Sequence, residues 1–364
     1  MDTAHIKLVC ELASKTSAPA PELHISSETE YEPDADPLEG CESMGALATW
    51  VMAVAGLLAP AVAKSHAIRV DAATPHGIFL LLGGMGVQHA AELQRLKCYA
   101  TNSHADNFNY LQFVLSRRLQ HLTFSRLHPF GLVPIGQSPN LLRGVTYLRT
   151  VHISHLVWDQ MKAILTSCEA LEELDVADID CRGDPGTAVI HMPRLRTLVI
   201  DISDPGCLQL AAIILTPGIV TLVVRGVSDS PWARFILVFG DAIRSVKNCC
   251  ICTWVYTESI KALIGELHAA QAIDLRAGGS RFLDDLTLTH GIGRPPLTQI
   301  KRWIVSAHIT VPQAKVLFNW PEASVESIYS ETRADEEYRF MRWEQADQGY
   351  DVRLVQLDAE PYFE

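Results

Sequence analysis

The stretches LEELDV (171–176), LRTLVI (195–200) and IVTLVV (219–224) share one pattern, with an aliphatic residue at positions 1, 4 and 6. Positions 4 and 6 flank one variable residue, which is the alternation of a half-buried β-strand. Further apolar copies are LQRLKC (93–98), LQHLTF (119–124), LRTVHI (148–153), VKNCCI (246–251), AQAIDL (270–275) and IKRWIV (300–305). Each copy therefore predicts a strand whose fifth residue points away from the core.

The copies recur at a nearly constant interval. Their first positions are separated by 26, 29, 23, 24, 24, 27, 24 and 30 residues, close to the roughly 20–29-residue period of leucine-rich repeats. The helix-like stretches between them are 110–119, 158–171, 207–215, 232–243 and 258–270. One strand and one helix do not close a core, whereas stacked units do. The sequence therefore predicts an α/β fold, a right-handed leucine-rich-repeat solenoid with a curved parallel sheet inside and helices outside.

Proline placement agrees with this prediction. Pro193, Pro217 and Pro296 each lie just before a strand copy, where a helix has to end because proline cannot continue it. An ordinary doubly wound α/β domain also alternates helices with strands, so it stays an alternative.

The acidic residues are concentrated at the two ends of the chain. The formal net charge is -12, and residues 1–45 carry ten acidic and two basic residues, while residues 322–364 carry twelve and four. The part between them has a small positive charge without the concentrated basic face that nucleic-acid binding requires. The sequence therefore predicts no nucleic-acid partner.

Composition divides the chain into three regions. Residues 1–43, rich in acids and prolines, are predicted to be a disordered acidic tail. Residues 44–320 form the predicted solenoid. Residues 321–364 are predicted to be an acidic C-terminal cap, in which EEYRFMRWEQ (336–345) docks as a helix through Tyr338, Met341 and Trp343.

Several features favour an intracellular protein, cytoplasmic or nuclear. The nine cysteines have no repeated spacing, no Asn-x-Ser/Thr sequence occurs, and the first residues lack the pattern of a signal peptide. The uncharged stretch 43–63 is long enough for a membrane span. Because it is rich in Ala and Gly and leads into an alternating segment, a buried helix is the favoured interpretation.

The runs 158–179, 192–204 and 214–227 resemble the repeat region of fungal F-box proteins with leucine-rich repeats. In that family a helix ending in Cys leads to a Leu-Glu-Glu-Leu-Asp strand, and a Met-Pro or Thr-Pro precedes the next copy. The resemblance covers residues 90–305 and implies the substrate-receptor part of a ubiquitin-ligase adaptor, with the ligase scaffold as a partner. Residues 1–60 lack the F-box pattern itself, since HIKLVCELA is short and prolines follow it.

Motifs for cofactors, metals and catalysis are incomplete or missing. Gly84 and Gly86 match the start of a dinucleotide-binding loop, but His89 occupies its third glycine position. The CCIC sequence at 249–252 has no nearby fourth zinc ligand. We therefore expect no cofactor, no metal and no catalysis. An α/β enzyme whose helices and strands resemble repeats stays the alternative, because catalytic residues converge in three dimensions.

The fifth positions define the predicted binding face. In chain order they are Lys97, Thr123, His152, Asp175, Val199, Val223, Cys250, Asp274 and Ile304. Val199, Val223 and Cys250 form an apolar strip, and residues two positions farther on add charge beside it. The predicted protein-binding concave face consists of Asp175, Val199, Asp201, Val223 and Arg225.

The sequence as a whole predicts a non-catalytic protein-interaction module whose partner is another protein. Within the same class, a leucine-rich-repeat scaffold unrelated to ubiquitin is the alternative.

Overall fold

The computed structural model of this chain describes residues 22–26, 62, 65–72, 78, 82, 90–100, 118–125, 142–186, 189–216, 218–226, 239–252, 258–276, 297–306, 309–319, 324–334, 337–345 and 352–356. The chain forms two compact units, Met1–Met192 and Pro193–Glu364, called here the N-terminal and the C-terminal unit. The fold is α/β, with mostly parallel strands and few helices among the described residues.

The N-terminal unit contains a parallel sheet in which each strand pairs with the next one along the chain. Its strands are β1 (Glu22–Ser26), β2 (Ala67–Ala72), β3 (Arg95–Ala100), β4 (His121–Ser125), β5 (Tyr147–Val157) and β6 (Glu173–Arg182). A short strand β7 (Ile190–His191) and helix α1 (Trp158–Ser167) complete its described elements.

The strands of the N-terminal unit align five leucines and one isoleucine in one buried row. The aligned residues are Leu23, Ile68, Leu96, Leu122, Leu148 and Leu174, and all are buried. Helix α1 buries Trp158, Met161, Ile164 and Leu165. The predicted burial of Leu122 and Leu174, and parallel pairing of the strands around them, are confirmed.

One predicted copy is out of register. Leu148 aligns with Leu122 and Leu174, so it occupies position 4 rather than position 1. The third copy is therefore VTYLRT (145–150), and Arg149, not His152, is its fifth residue. Position 6 of this copy is Thr150, which is buried although it is polar, and this polar residue hid the true register.

The C-terminal unit also contains parallel strands, paired in the order of the chain. They are β8 (Thr197–Asp201), β10 (Thr221–Arg225), β11 (Asn248–Cys252), β12 (Ala272–Arg276), β13 (Arg302–Val305) and β14 (Ser327–Ala334), with the short β9 (Ile214–Leu215) between β8 and β10. The helices are α2 (Pro205–Ile213), α3 (Glu258–Glu266) and α4 (Val311–Phe318). The fourth-position row, with Leu198, Leu222 and Trp303 among its members, is buried as predicted.

The C-terminal end differs from its predicted form. Residues Glu337–Gln345 form strand β15, which pairs antiparallel with β14 and with β16 (Val352–Gln356). The predicted helix at 336–345 is therefore wrong. The aromatic residues of this stretch favour a strand, and buried Trp343 donates a hydrogen bond from Nε1 to Ser330 Oγ at 3.0 Å.

The parallel strands extend past the limits predicted for the solenoid. Strand β1 lies within residues 1–43, and strand β14 lies beyond residue 320. The five residues Glu22–Ser26 are thus ordered as a strand, where their alternation of Leu23 and Ile25 supplies a pattern for pairing. The other residues of 1–43 lie outside the described part of the chain.

A repeated hydrogen-bond junction precedes the strands in both units. At each junction, one backbone carbonyl oxygen accepts two hydrogen bonds. The donors are the backbone N–H groups of the second and third residues of the next copy. The N-terminal acceptors are His66, Gln94, Gln120 and Thr146, and the C-terminal ones are Arg196, Val220, Lys247, Gln271 and Lys301. The bond lengths lie between 2.7 and 3.2 Å. Every one of these copies therefore enters its strand through the same turn.

A second repeated bond shows an apolar position that the six-residue pattern leaves out. The first residue of a copy donates its N–H to the carbonyl three residues earlier, and the accepting residues are Val62, Ala90, Leu142, Cys168, Ile243, Leu267 and Leu297. All seven are buried. The structural repeat therefore begins three residues before the sequence pattern.

Candidate functional site

The open face of the N-terminal unit carries a polar groove. Its volume is about 500 Å³. It is lined by the cations Arg95, Lys97 and Arg149, the rings of Tyr99, His121 and Tyr147, and the polar residues Gln94, Gln120 and Thr123. None of these nine described residues is acidic. The groove therefore presents positive charge next to aromatic faces.

The groove is a direct product of strand register. Lys97, Thr123 and Arg149 are fifth-position residues and are aligned across β3, β4 and β5. Arg95, His121 and Tyr147 are aligned two residues earlier. Because alternate strand residues share a face, these two rows stand side by side on the side of the sheet opposite the buried leucines.

Partial burial, together with two nearby cations, lowers the pKa of the histidine in the groove. The pKa of His121 is lowered from its ordinary value, first because the ring is partly desolvated and then because Arg95 and Lys97 repel a second positive charge. The ring is therefore neutral at neutral pH. It lies against Tyr147, with ring centroids 5.6 Å apart and planes tilted by 37°.

Acidic residues border the groove on the β6 side. Arg149 Nε lies 3.3 Å from Asp175 Oδ2, and the Asp175 side chain is 6% exposed. Glu173 stands opposite Tyr147 in β6, and burial followed by the charge of Asp175 raises its pKa. Burial, with a smaller effect of Asp175, also raises the pKa of Tyr147. Asp175 therefore positions Arg149 at the edge of the groove.

At the opposite border of the groove, on the β2 side, a second set of charged residues makes contacts. Arg69 Nε donates to Asp71 Oδ2 at 2.9 Å, and its Cζ lies 4.9 Å from the centre of the Tyr99 ring. His24 Nε2 lies 2.6 Å from Asp71 Oδ2. These contacts fix the orientation of Tyr99, so one wall of the groove is preorganised.

The structure brings four of the five predicted face residues together, in the C-terminal unit. Val223 is aligned with Val199, and Arg225 with Asp201. Asp175 belongs to the N-terminal unit and contacts Arg149 there. Val199 is only 6% exposed, while Val223 is half-buried, so the strip offers little apolar surface to a partner.

Asp201 has a structural partner that the sequence pattern does not indicate. Its Oδ1 accepts hydrogen bonds from Ser203 N at 2.9 Å and from Ser203 Oγ at 2.6 Å. Gly226 lies against the same turn, with φ +133°, and a Cβ there would stand 2.9 Å from Ser203 N. A side chain is therefore strained at this position. Asp201 stabilises the turn after β8.

A thiol pair lies beside the apolar strip. Cys250 is aligned with Val223, and Cys252 with Arg225. The two Sγ atoms are 3.5 Å apart. Cys250 Sγ also lies 3.5 Å from Asp274 Oδ2, which accepts from Arg276 Nε at 2.9 Å. The hydrogen bond from Cys250, followed by the nearby arginines, outweighs burial and lowers the pKa of Cys252 to about 7.

The remaining candidate sites are only partly described. No group of three or more His, Cys, Asp or Glu side chains suited to a metal occurs in the described part of the chain. Gly84, Gly86 and His89 lie outside it. Of the uncharged stretch 43–63, only Val62 is described, and it is buried. None of the described helices has the length and apolar character that a membrane crossing requires.

No family model matches the chain, and no curated protein matches it either.

A single register error hides the groove residues in the sequence pattern. Lys97 and Thr123 were in the predicted fifth-position row, but the shifted third copy put His152 where Arg149 belongs. The same shift left Tyr147 out of the third-position row, to which Arg95 and His121 belong. The exact 26-residue interval between Leu93, Leu119, Val145 and Leu171 is the signal that restores both residues.

Proposed function

We propose that this chain is a leucine-rich-repeat solenoid and acts as a non-catalytic protein-interaction module, with the groove of the N-terminal unit as its recognition surface. The supporting observation is the set of three cations and three rings on an open sheet face. Cations attract carboxylates, and aromatic faces pack against the backbone and apolar side chains of a bound segment. The partner chemistry that fits is an extended acidic peptide segment.

The repeated junction supports the solenoid part of the proposal. Nine described copies enter their strands through the same two hydrogen bonds, as expected of stacked units that contact only their neighbours. Parallel connections of this kind are right-handed in nearly all known cases, which favours a right-handed coil with helices outside.

A peptide fits the groove better than a nucleic acid. The three groove cations are bordered by Asp71, Glu173 and Asp175, which would repel a continuous phosphate backbone. Nucleic-acid sites rely on many phosphate contacts and on a concentrated basic surface. An acidic peptide can place its carboxylates at Arg95 and Lys97 alone and keep neutral residues near the acidic border.

Charge reversal tests the groove. A fluorescein-labelled peptide of alternating glutamate and tyrosine is titrated with the full chain, and binding is followed by anisotropy. Arg95→Glu with Lys97→Glu should weaken binding roughly 100-fold, because like charges then face each other. The matched control, Arg194→Glu with Arg196→Glu, changes the net charge equally at exposed sites of the C-terminal unit and should leave binding unchanged.

Two results would overturn the acidic-peptide proposal. One is equal weakening by both double variants, since binding would then follow net charge alone. The other is tighter binding of a single-stranded oligothymidylate than of the peptide, which would make the groove a nucleic-acid site. Thermal melts of both variants separate loss of binding from loss of folding.

The proposed biological role is that of a substrate receptor in a ubiquitin ligase, because the strand and helix pattern over 158–227 resembles F-box proteins with leucine-rich repeats. The seven described cysteines are free thiols, as suits the reducing conditions of an intracellular compartment. Capture of a purified ligase scaffold by the full chain tests the role. If the scaffold is not captured while the peptide still binds, the chain is an interaction scaffold unrelated to ubiquitin.

A further inference from the structure

Cys252 stands between two cations on the outward face of the C-terminal unit. It lies two residues after the fifth position of its copy, and in that row it is aligned with Arg225 of β10 and Arg276 of β12. Neighbouring parallel strands are roughly 4.8 Å apart, so one guanidinium-bearing side chain flanks the thiol on each side. Cys252 and Arg225 are half-buried, and the Arg276 side chain is 43% exposed. The sulfur is therefore accessible and lies in a positively charged setting.

Cys250 is the third neighbour of this sulfur. Its Sγ lies 3.5 Å from Cys252 Sγ and 3.5 Å from Asp274 Oδ2, and the residue is only 4% exposed. Its hydrogen bond to Cys252, followed by burial and the charge of Asp274, raises the pKa of the Cys250 thiol. Cys250 therefore stays protonated, and the thiolate form belongs to Cys252, where partly exposed thiols next to arginine are the reactive ones.

Strand geometry prevents the two thiols from bonding to each other. Strand β11 is paired with β10 on one side and with β12 on the other, which keeps its backbone extended. Residues two apart on one face of such a strand have Cβ atoms about 6–7 Å apart, whereas a disulfide spans about 3.5–4.5 Å between Cβ atoms. A disulfide on Cys252 therefore needs a second sulfur from another molecule.

We propose that Cys252 is a site of reversible S-glutathionylation, at which a low-molecular-weight disulfide with carboxylate groups forms a mixed disulfide beside Arg225 and Arg276. Carboxylates suit this place because guanidinium groups bind them. Asp201, aligned with Arg225, and Asp274, which accepts from Arg276 Nε at 2.9 Å, offset part of the positive charge, so the preference for carboxylates is moderate. The site does not depend on the peptide groove, which belongs to the N-terminal unit.

The reaction is one thiol–disulfide exchange. The Cys252 thiolate attacks one sulfur of glutathione disulfide, the S–S bond of that molecule breaks, and a new S–S bond forms to Cys252 Sγ. The other glutathione leaves as a thiolate and takes a proton from solvent. One protein thiol is oxidised, and one half of the glutathione disulfide is reduced to a thiol. An added thiol reverses the exchange.

The adduct changes the face of the C-terminal unit by its bulk. Val223 and Arg225, two residues of the predicted binding face, are aligned with Cys250 and Cys252 in the neighbouring strand. A tripeptide attached to Cys252 Sγ covers this part of the face. The modification therefore couples the availability of the face to the thiol–disulfide balance around the protein.

Quantitative mass spectrometry of the full chain tests the proposal. After treatment with glutathione disulfide at pH 7, we expect one glutathione on Cys252, which persists when the excess disulfide is removed and is released by added thiol. Cys181, also a half-buried free thiol, is the reference within the chain. With a pKa of about 7, Cys252 has more thiolate at pH 7, partly offset by lower nucleophilicity, so it should react roughly three- to sixfold faster than Cys181.

A change of reagent tests the role of the arginines. Cystamine undergoes the same exchange but carries ammonium groups instead of carboxylates. The ratio of the glutathione disulfide rate to the cystamine rate should be roughly threefold or more higher at Cys252 than at Cys181, because the flanking cations attract one reagent and repel the other. Arg225→Gln should lower this ratio at Cys252. The matched control, Arg194→Gln, removes one exposed arginine of the same unit and should leave it unchanged.

Four outcomes would overturn the proposal. These are a Cys252 rate no greater than that of Cys181, an equal reagent ratio at both cysteines, an equal effect of Arg225→Gln and Arg194→Gln, and a peptide lighter by two hydrogen atoms with Cys250 bonded to Cys252. Melting curves show whether each variant is folded. The rates and the reagent ratio of the unsubstituted chain stay decisive if a variant does not fold.

Discussion

The two units place different side chains on equivalent positions of the same repeat. The fifth positions of the N-terminal unit include Lys97, Thr123, Arg149 and Asp175, with a groove above the first three. Thr123 and Asp175 are buried, whereas Lys97 and Arg149 are partly exposed. In the C-terminal unit the equivalent positions are filled by Val199, Val223, Cys250, Asp274 and Ile304. Four of these five are less than 7% exposed. The backbone repeat sets where a side chain stands, while its length and polarity decide whether the face is open or closed.

This difference has a simple packing origin. Neighbouring parallel strands are roughly 4.8 Å apart, so short aliphatic side chains in one row touch each other and exclude solvent. Long cationic side chains extend beyond their neighbours and keep their charged ends in water. The N-terminal face therefore stays available for recognition, and the C-terminal face contributes mainly to its own packing.

The largest expected effect on stability tests the buried fourth-position row, which both units contain. Leu174→Ala and Leu222→Ala each remove a fully buried leucine, one in each unit, and each should lower the free energy of unfolding by about 2–5 kcal/mol. Urea denaturation, with the exposed Arg196→Ala as control, measures both. A loss below about 1 kcal/mol in either unit would show that its leucine row is not a packed core.

A smaller effect on stability tests how well the fifth-position face of the C-terminal unit is buried. Val199→Lys puts a charge at a buried position and should destabilise the protein by about 1–3 kcal/mol. Val223→Lys alters a half-buried neighbour in the next strand, where the ammonium group reaches water, and should cost less than about 1 kcal/mol. Thermal and urea unfolding of both variants give the comparison. Equal losses of unfolding free energy in the two variants would mean that Val199 and Val223 are equally buried.

The smallest effect concerns the charge of the groove. His121 should titrate below its ordinary value of 6.5, and Arg95→Ala with Lys97→Ala should move its titration upward, as followed by NMR of the imidazole ring. A lowered pKa in the folded state means that the unfolded chain takes up the proton more readily. This contribution therefore reduces stability as pH falls below 6.5, and it vanishes at higher pH. A midpoint unchanged in the double variant would remove the cations as a cause.

Much of the strand framework could be predicted from sequence, because apolar periodicity and repeat interval are local properties. The copies at 171, 195 and 219 were predicted in the register that the structure has. The register of the third copy was not predicted correctly, because a buried threonine occupies position 6, where the pattern has an aliphatic residue. The antiparallel end formed by β15 was not predicted, because the sequence interpretation places Tyr338, Met341 and Trp343 on a docking helix, whereas they lie in a strand.

The candidate site was less predictable than the framework. Four predicted residues are neighbours as expected, but Val199 is buried and Asp201 stabilises a turn. Whether a fifth-position residue is exposed depends on what its neighbours in adjacent strands are, and those neighbours are about two dozen residues away in sequence. A one-copy register error is enough to rearrange such a row.

The sequence by itself determined the repeat interval, the buried rows and the parallel order of the strands, because these follow from spacing along the chain. Only the tertiary structure decided which outward side chains meet: Arg149 with Asp175, the three rings of the groove, and Cys252 between two arginines. The physical reason is that contact across strands depends on register and side-chain reach, to which each strand contributes only one residue per row.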